Sequence, residues 1–493
     1  SSVTSLIVRK EASPPETNTF DAIVIGAGPA GITAAQRVAA AGRTVALVEA
    51  SPGVGGLARS IEVFGGRVDV GPHRFFSNDR RVNEEWIEAV DYDYVMVDRV
   101  TRIFYDGKFF DYPLKPANAL VNLGIGGAIR SFLSYLYVKV RPPKGDLDTF
   151  DKWVTSRFGA YLYKIFFKTY SERLWGIPCD QLDADFAAQR IKKFSLGEAI
   201  KASFGAVRGS KHKTLVDRFA YPRTGAGLVY EKLAEKFQAA GGRLLLETPV
   251  ESVNLDGGKV KGVTLKSGEE LVSEKVVSTM PLTLMVRSLG EIPPEVVRAC
   301  DSLRFRNTTL VYVRLDCDSP FPDQWIYIHD PTVQMGRLTN FSNWSPEVGG
   351  PEGGTTLCAE YWSNDEDPFW GLDDEALSRL AKEDLEKTGL IDPKTIGDTK
   401  VIRIHRCYPV YARGYQEHVS IIQDFIDGIE GLYAIGRYGA FKYNNQDHSI
   451  LMGILAADNV VNGASNDLWS VNTDYDNYQE EAAIDETGLV TAS

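Results

Sequence analysis

The chain has 493 residues, of which 24% are charged and 44% hydrophobic, as in ordinary globular proteins. Its net charge is −12, but the part after Lys442 contains nine acidic residues and no basic one, so the preceding part has a net charge of only −3. No basic stripe is present, which argues against a nucleic-acid partner. The nearly neutral part of the chain up to Lys442 is compatible with an anionic small-molecule substrate.

The five cysteines are scattered without a Cys-x-x-Cys pair, and the six histidines show no ligand spacing. We therefore expect neither a disulfide framework nor a metal site, and a reducing compartment fits best. Residues 1–19 lack the apolar run of a signal peptide and are predicted to form a tail. The most hydrophobic stretch, residues 121–138, contains Asn122, three glycines and Arg130, so we predict that it is too short and too polar to span a bilayer. These features indicate a cytoplasmic protein without a membrane span.

The first predicted elements form a βαβ unit. Residues 20–25 are a short, β-branched apolar run, typical of a buried parallel strand. A glycine-rich turn at 26–31 follows, then an alanine-rich helix to about Ala41, and residues 43–48 form the next strand. This order within about 30 residues is typical of a nucleotide-binding α/β fold.

The turn of this unit carries the pattern Gly-x-Gly-x-x-Gly, formed by Gly26, Gly28 and Gly31. The first glycine allows the tight turn, the second lets the backbone approach a pyrophosphate, and the third allows close packing of helix on strand. The positive end of the helix dipole then stabilises the phosphate charge. Glu49, at the end of the second strand, is predicted to accept hydrogen bonds from ribose hydroxyls. NAD and FAD share this pattern.

Further elements follow along the chain. Residues 105–112 predict a hairpin around Asp106-Gly107, and apolar residues at helical spacing predict one amphipathic helix over 150–170. A second α/β passage begins at Gly227 with a helix that ends at Gly241-Gly242. The remaining predicted elements are strands at 243–246, 260–265, 275–279, 308–315 and 431–435, and a helix from about 447 to 462.

The nucleotide-binding pattern occurs at both ends of the chain. We therefore predict an α/β fold with a Rossmann-like FAD-binding domain of the glutathione-reductase-like superfamily and inserted helical and mixed-sheet substrate domains. The predicted parts are an N-terminal tail at 1–19, a discontinuous FAD-binding domain at 20–95, 215–285 and 400–465, a mostly helical insert at 96–214, a mixed α/β substrate domain at 286–399, and a solvated acidic tail at 466–493.

Three regions of the sequence favour FAD over NAD. Gly55-Gly56, followed by the basic Arg59, resembles the second glycine pair near the FAD phosphates in oxidases of the glutathione-reductase-like superfamily. Val250 fits the backbone clamp for adenine in that superfamily.

The third region that favours FAD is the last predicted strand and helix. Gly436-Arg437 and the helix that starts near Asp447 resemble the segment that places a helix N-terminus against the isoalloxazine ring. We find no second Gly-x-Gly-x-x-Gly for a nicotinamide cofactor. One tightly bound FAD is predicted.

Four strings resemble, in order and spacing, the UDP-galactopyranose mutases, and most closely the eukaryotic-type mutases. They are DVGPHRFFS at 69–77, YSERLWGIPCDQLDADFAAQRI at 170–191, GRLTNFSNWSP at 336–346 and GRYGAFKYNNQDHSIL at 436–451. The resemblance covers about residues 20–462. It implies pyranose–furanose isomerisation of a UDP-sugar or similar nucleotide-diphosphate sugar, with covalent catalysis at N5 of reduced FAD. It also implies a role in glycan or polysaccharide biosynthesis and an electron donor that reduces the flavin.

The resemblance also implies residue roles. Arg190 and Arg337 match the pair that binds the substrate diphosphate, a task suited to the planar guanidinium fork. Tyr408 and Tyr443 match hydroxyl donors to the same phosphates. Arg437 would lie against the flavin and favour its reduced, anionic form.

Three further positions match the substrate side of the family. His73 would lie on the loop that faces the isoalloxazine. Trp344 takes the place of a substrate-facing tyrosine, and Trp175 matches a pocket aromatic, although an aromatic at helical spacing is also typical of a core. His448 fits a helix start better than a catalytic role.

Two alternatives stay open at the level of sequence. Lys115 aligns near a uracil-contacting glutamine and cannot reproduce an amide's paired donor and acceptor, so the nucleotide base is undetermined. The FAD pattern equally fits an oxidoreductase of the amine oxidase or protoporphyrinogen oxidase type. Two arginines and two tyrosines count against that alternative, because an apolar substrate or an amine does not need them.

Overall fold

A computed structural model describes residues 17–112, 114–185, 187, 218–349, 353–472 and 482–491. Its centre is a parallel sheet of five short, mostly apolar strands from separate parts of the chain, as the α/β prediction requires. Their order is Leu432–Ala434, Val276–Ser278, Ala22–Ile25, Val45–Val48 and Arg243–Leu245. The predicted domain bounds stay a prediction.

Both faces of this sheet are covered, which explains why its strands are apolar on both sides. One face packs against the helices Pro29–Ala40, Leu228–Ala239 and Gln446–Asn462. The other face packs against an antiparallel sheet of the strands Val250–Asp256, Lys259–Leu265 and Glu270–Val272.

A second large sheet has seven strands and lies outside the nucleotide-binding unit. Its order is Ile396–Pro409, Phe305–Leu315, Thr355–Ser363, Arg337–Asn340, Trp325–Ile328, Thr101–Tyr105 and Lys108–Asp111. The last two strands form the predicted hairpin, and the left-handed φ angles of Asp106 (51°) and Gly107 (70°) suit its two-residue turn. The segment predicted as a mostly helical insert therefore also contributes two strands to a sheet.

The other described elements include short strand pairs and further helices. The strand pairs are Ser60–Val63 with Gly66–Asp69, Tyr94–Asp98 with Arg218–Pro222, and Ala482–Asp485 with Gly488–Thr491. The other α-helices are Arg80–Val90, Pro116–Val140, Phe150–Phe158, Ala160–Tyr163, Thr169–Trp175, Leu282–Arg287, Pro294–Ser302, Asp374–Thr388, Tyr415–Asp427 and Gly436–Gly439.

The single helix predicted over 150–170 is wrong. The chain breaks at Gly159 (φ 84°), and a π-helical turn follows at Lys164–Lys168. A Cβ atom on Gly159 would lie 2.9 Å from the backbone of Ser134, so the break lets the chain approach the neighbouring helix closely.

The solvated acidic tail predicted at 466–493 is also wrong for its described residues. The indole N–H of Trp469 donates to the carbonyl of Ala434 (2.8 Å), and Asn472 is buried. Farther on, the hydroxyl of Tyr94 donates to the carbonyl of Asp485 (2.5 Å). Apolar and hydrogen-bonding side chains between the acidic residues account for this packing.

The helix Pro116–Val140 is longer than the hydrophobic stretch 121–138, because Pro116 at its first turn lets it begin earlier. By length and composition alone its part Ala117–Val140 could cross a membrane, contrary to our sequence prediction, although Gly124 (φ 77°) interrupts the helical geometry. Most of it lies on the surface, since only 11% of its most apolar window is buried.

Candidate active site

The predicted glycine turn forms a narrow backbone cradle. A Cβ atom on Gly31 would lie 1.8 Å from the carbonyl oxygen of Gly26, so no side chain fits there. A Cβ atom on Gly56 would lie 3.0 Å from the Cα of Gly28, which shows that the two predicted glycine regions meet. The helix Pro29–Ala40 begins here without a side-chain cap and without an acidic residue in its first turn. This arrangement suits a pyrophosphate.

Glu49 is oriented by backbone amides beside this cradle. Its Oε1 accepts a hydrogen bond from the amide of Ala27 (3.0 Å) and its Oε2 accepts one from the amide of Ser51 (3.0 Å). The amide of Thr248 donates to the carbonyl of Glu49 (2.9 Å), which brings the strand that starts at Val250 alongside. A fixed carboxylate next to the cradle fits the ribose of an adenine dinucleotide.

The other predicted flavin-side residues converge on the same helix end. Nη1 of Arg59 donates to the carbonyl of Gly56 (2.9 Å). A Cβ atom on Gly436 would lie 3.5 Å from the Cβ of Ala30, so the helix Gly436–Gly439 lies against the first turn. These residues fit the phosphates and the isoalloxazine end of FAD.

The start of the helix Gln446–Asn462 is closed by a capping box. Nδ1 of His448 accepts from the amide of Asn445 (3.0 Å), so this histidine satisfies the helix start, as the sequence indicates. Asp447 lies in the first turn, where burial raises the pKa of its carboxyl group.

Arg337 lies in the seven-stranded sheet and pairs with a buried carboxylate. Its Nε and Nη2 donate to the two carboxylate oxygens of Glu360, and Nη2 also donates to the hydroxyl of Tyr408 (3.3 Å). Burial disfavours the charged guanidinium, but Glu360 and Tyr408 hold the pKa of Arg337 well above its usual value. Among the described residues, Nη1 has no acceptor, which leaves one edge of the fork for a ligand.

Aromatic rings surround a second guanidinium. The ring of Tyr408 stacks on that of Tyr443 (centroids 5.5 Å apart), and Cζ of Arg437 lies 5.2 Å and 5.3 Å from these two rings. Trp175 packs edge-on against both tyrosines and is only 1% exposed. Trp175 is therefore a core residue that supports the tyrosines from behind.

His73 lies on the loop that follows the strand Gly66–Asp69, near three arginine side chains. Burial lowers its pKa to about 3, and the charges of Arg437, Arg337 and Arg59 act in the same direction. Its Nε2 lies 2.7 Å from the carbonyl oxygen of Val70, so the neutral ring is the donor in this hydrogen bond. The imidazole therefore lies near three guanidinium groups, of which Arg337 is paired with Glu360.

A buried aspartate anchors the loop that carries His73. Oδ1 of Asp69 accepts from the hydroxyl of Ser60 (2.8 Å) and the amide of Ala226 (3.0 Å), and Oδ2 accepts from the hydroxyl of Tyr221 (2.5 Å). Burial raises the pKa of this carboxyl group to about 6. Asp69 thereby ties two other parts of the chain, at Ser60 and at 221–226, to the start of the loop.

One predicted site residue that the structure describes, Trp344, lies apart from this cluster. Arg190 lies outside the described residues. Trp344 is 2% exposed, stacks on Trp325 (5.5 Å) and donates its indole N–H to the carbonyl of Gln324 (3.3 Å). Trp344 directly follows the short 3₁₀ helix Phe341–Asn343 and packs into an aromatic core, so its predicted contact with the substrate stays a prediction.

Sequence reasoning missed several residues of the site. Glu360 carries no motif, and only its cross-strand position opposite Arg337 reveals it. Tyr170 contributes a hydroxyl near Arg337, and burial raises its pKa. Arg74, which directly follows His73, lies near Asp447 and in a partly buried setting that lowers its pKa. Arg74 could have been identified from the sequence, because it lies in the string at 69–77 that resembles the mutases.

Comparisons with known proteins agree with this geometry. A family model described as flavin containing amine oxidoreductase matches residues 29–461. The phytoene desaturase of Fusarium fujikuroi is 27% identical over 309 residues, which are 58% of this chain and 53% of that protein. The chain thus spans about half the length of the curated relatives it matches.

Solved structures show the same fold. A reduced UDP-galactopyranose mutase superposes with a TM-score of 0.80 at 22% identity, over 92% of this chain and 99% of that one. A putative protoporphyrinogen oxidase from Exiguobacterium superposes with a TM-score of 0.68 at 18% identity, over 90% and 99%. The expected mutase-like flavoprotein fold is confirmed. With the family model spanning most of its length and a cradle that fits FAD, this chain belongs to the flavin containing amine oxidoreductases and uses FAD.

Proposed function

We propose that this flavoenzyme is a nucleotide-sugar mutase, which isomerises the sugar ring of a nucleotide-diphosphate sugar. The main support is the guanidinium of Arg337, whose Nη1 has no hydrogen-bond acceptor among the described residues and can donate to a ligand. Beside it the hydroxyl of Tyr408 accepts from Nη2 and keeps its own proton for a ligand. Donors in this arrangement suit phosphate oxygens.

The residues of the chain support this reaction by binding rather than by proton transfer. When bound and reduced, FAD supplies the nucleophile. Arg337, Tyr408 and Tyr443 bind the diphosphate, stabilise the negative charge that develops on it as it leaves, and keep it within reach for its return. Arg437 stabilises negative charge on the cofactor. His73 stays neutral near pH 7 and is committed to the carbonyl of Val70.

The proposal requires an electron donor that keeps the flavin reduced. By resemblance alone, it also assigns Arg190, which lies outside the described residues, as the second guanidinium that binds the diphosphate. Lys115 aligns near the uracil-contacting glutamine of the mutases, so the proposal is not restricted to uridine nucleotides or to one sugar.

Net oxidation is the second candidate, and the sequence relatives favour it. The phytoene desaturase shares 27% identity with the chain, and the putrescine oxidase of Kocuria rosea shares 51% over 51 residues. These matches cover only 53% and 11% of those proteins, so they give weak support for transferring the activity of those proteins to this chain.

One assay separates the two candidates. Dithionite-reduced and oxidised enzyme are incubated anaerobically with UDP-galactose and a panel of other nucleotide sugars, and the products are chromatographed for ring isomers. We expect isomers only with reduced flavin and without net redox change. Stoichiometric flavin reduction by a substrate, followed by oxygen uptake, would show that the enzyme is an oxidase instead.

A binding experiment tests the proposed role of Arg337. Arg337→Lys keeps a positive charge beside Glu360 but lacks Nη1, so we expect the affinity for UDP to fall about tenfold or more while the flavin stays bound. Arg403→Lys is the matched control, because Arg403 lies on the same sheet and pairs with the exposed Asp374. Equal UDP affinity in both variants would refute the assignment.

A further inference from the structure

The helix Pro116–Val140 presents an apolar stripe to solvent. Ile125, Ile129, Phe132, Leu136 and Val140 follow the helical period and are 83%, 53%, 54%, 42% and 79% exposed. Nine of the fifteen exposed large hydrophobic residues in the described part of the chain lie within residues 120–140. Single exposed hydrophobics are normal, but a contiguous stripe of this length marks an interaction surface.

The opposite face of this helix faces the protein and combines small and polar residues with the apolar Leu123 and Val138. Ser131 is 2% exposed, and its hydroxyl donates to the carbonyl of Gly127 (2.8 Å). The hydroxyl of Ser134 accepts from the amide of Tyr161 (3.0 Å). The helix therefore has apolar residues on its outer face as well, whereas an ordinary surface helix has its apolar face towards the core only.

The charges around the stripe are all of one sign. From residue 112 to residue 145 the chain has no acidic side chain, although its overall net charge is −12. The basic side chains of this segment are Lys115, Arg130, Lys139, Arg141 and Lys144. A basic, apolar helix complements a surface of anionic lipid headgroups over acyl chains. Packing of two copies of the helix would instead bring ten like charges together.

The length and attachment of the helix suit an orientation parallel to a membrane surface better than a membrane span. Beyond the break at Gly124, residues 125–140 span about 24 Å, which is short of the roughly 30 Å of a hydrocarbon core. Its start is held to the seven-stranded sheet, where the side-chain oxygen of Asn118 accepts from the amide of Asp111 (2.9 Å). Its inner face packs on the turn at Gly159.

We propose that this face docks the enzyme on the surface of an anionic phospholipid bilayer, with the helix axis parallel to the membrane plane. This inference does not rest on the proposed reaction. The docked helix begins near the candidate site, since the ring of Tyr112 lies 4.8 Å from that of Tyr327, which is paired across the strands with Arg337. The membrane surface would therefore lie close to the site.

Vesicle flotation of the FAD-loaded enzyme tests the apolar stripe. The vesicles are made of phosphatidylcholine alone or of phosphatidylcholine mixed with phosphatidylglycerol. We expect the enzyme to float with the mixed vesicles and Phe132→Ser/Leu136→Ser to bind them at least about tenfold more weakly. The control Val272→Ser/Ile421→Ser changes two similarly exposed residues elsewhere and should bind like the wild type. Flavin absorbance reports whether each variant is folded.

A charge variant and sedimentation velocity complete the test. Arg130→Gln/Lys139→Gln should lose about tenfold in affinity for the mixed vesicles and little for phosphatidylcholine. A wild type that binds neither vesicle overturns the proposal, and so does a charge variant that binds the mixed vesicles unchanged. Sedimentation velocity measures the oligomeric state. The proposal also fails if the enzyme does not bind vesicles but forms oligomers that the substitutions Phe132→Ser/Leu136→Ser dissociate, because the apolar face then joins copies of the chain.

Discussion

Arg337 and Glu360 lie directly opposite each other on neighbouring antiparallel strands, and the carboxylate of Glu360 holds two nitrogens of the guanidinium. Glu360 is only 2% exposed, so the pair is shielded from water. This contact holds Nη2 of Arg337 at the hydroxyl of Tyr408 and leaves Nη1 without an acceptor among the described residues. A single buried carboxylate thus orients the guanidinium that we assign to the diphosphate.

We predict that Glu360→Gln lowers the free energy of unfolding by about 3 kcal/mol, because it leaves a buried guanidinium without its counter-charge. Urea denaturation of the purified protein measures this change. The control Asp374→Asn removes the partner of the exposed Arg403 and should cost less than about 1 kcal/mol. Equal effects of the two substitutions would show that the Arg337–Glu360 pair is not shielded.

Gly56→Ala should weaken FAD binding. The added Cβ would lie 3.0 Å from the Cα of Gly28 and narrow the cradle, at a residue whose φ of 56° already disfavours a side chain. The ratio of flavin to protein absorbance after dialysis measures occupancy. Gly65→Ala is the matched control, since Gly65 also has a positive φ (74°) but no atom within 4 Å of the added Cβ. Loss of flavin in both variants would point to backbone strain alone.

The stability contributed by Asp69 should fall as the pH rises. Burial raises its pKa from 3.8 to about 6, so between these values the folded protein binds this proton more tightly than the unfolded chain does. Above about pH 6 the ionised carboxylate lowers the stability by up to about 3 kcal/mol relative to its protonated form. Asp69→Asn lacks this titration.

The test compares the unfolding free energies of the wild type and Asp69→Asn at about pH 4 and about pH 7. Other acidic groups titrate in both proteins and cancel. The variant is less stable at acidic pH, because an asparagine offers one oxygen to the donors from Ser60, Ala226 and Tyr221. We expect its disadvantage to shrink at the higher pH. A disadvantage that is constant or grows with pH would contradict the raised pKa.

Trp344→Phe should change stability and not substrate affinity. The indole is buried against Trp325 and Tyr221 and donates to a carbonyl, so its loss should cost about 1–2 kcal/mol of unfolding free energy. In contrast, Tyr408→Phe removes a hydroxyl next to Arg337 and should weaken UDP binding about fivefold. Denaturation and UDP titration of both variants check this distinction. A weaker affinity in Trp344→Phe would restore its predicted place at the substrate.

Much of the fold was predictable because its signals are local. The strand Ala22–Ile25, the turn with Gly26, Gly28 and Gly31, and the hairpin at Asp106-Gly107 depend on residues close together in the chain. A break within one predicted helix was not predictable, because Gly159 approaches Ser134 only in the folded protein.

The sequence by itself determined the cofactor unit, since a glycine turn between an apolar strand and a helix has few folded solutions. It also identified Arg337, Tyr408, Tyr443 and Arg437, which the structure brings together. Only the tertiary structure decided that Glu360 pairs with Arg337, that Trp344 lies in the core, and that the helix Pro116–Val140 turns its apolar face outward. Each of these depends on which strand or helix packs opposite, and the period of side chains along one element does not encode its distant neighbour.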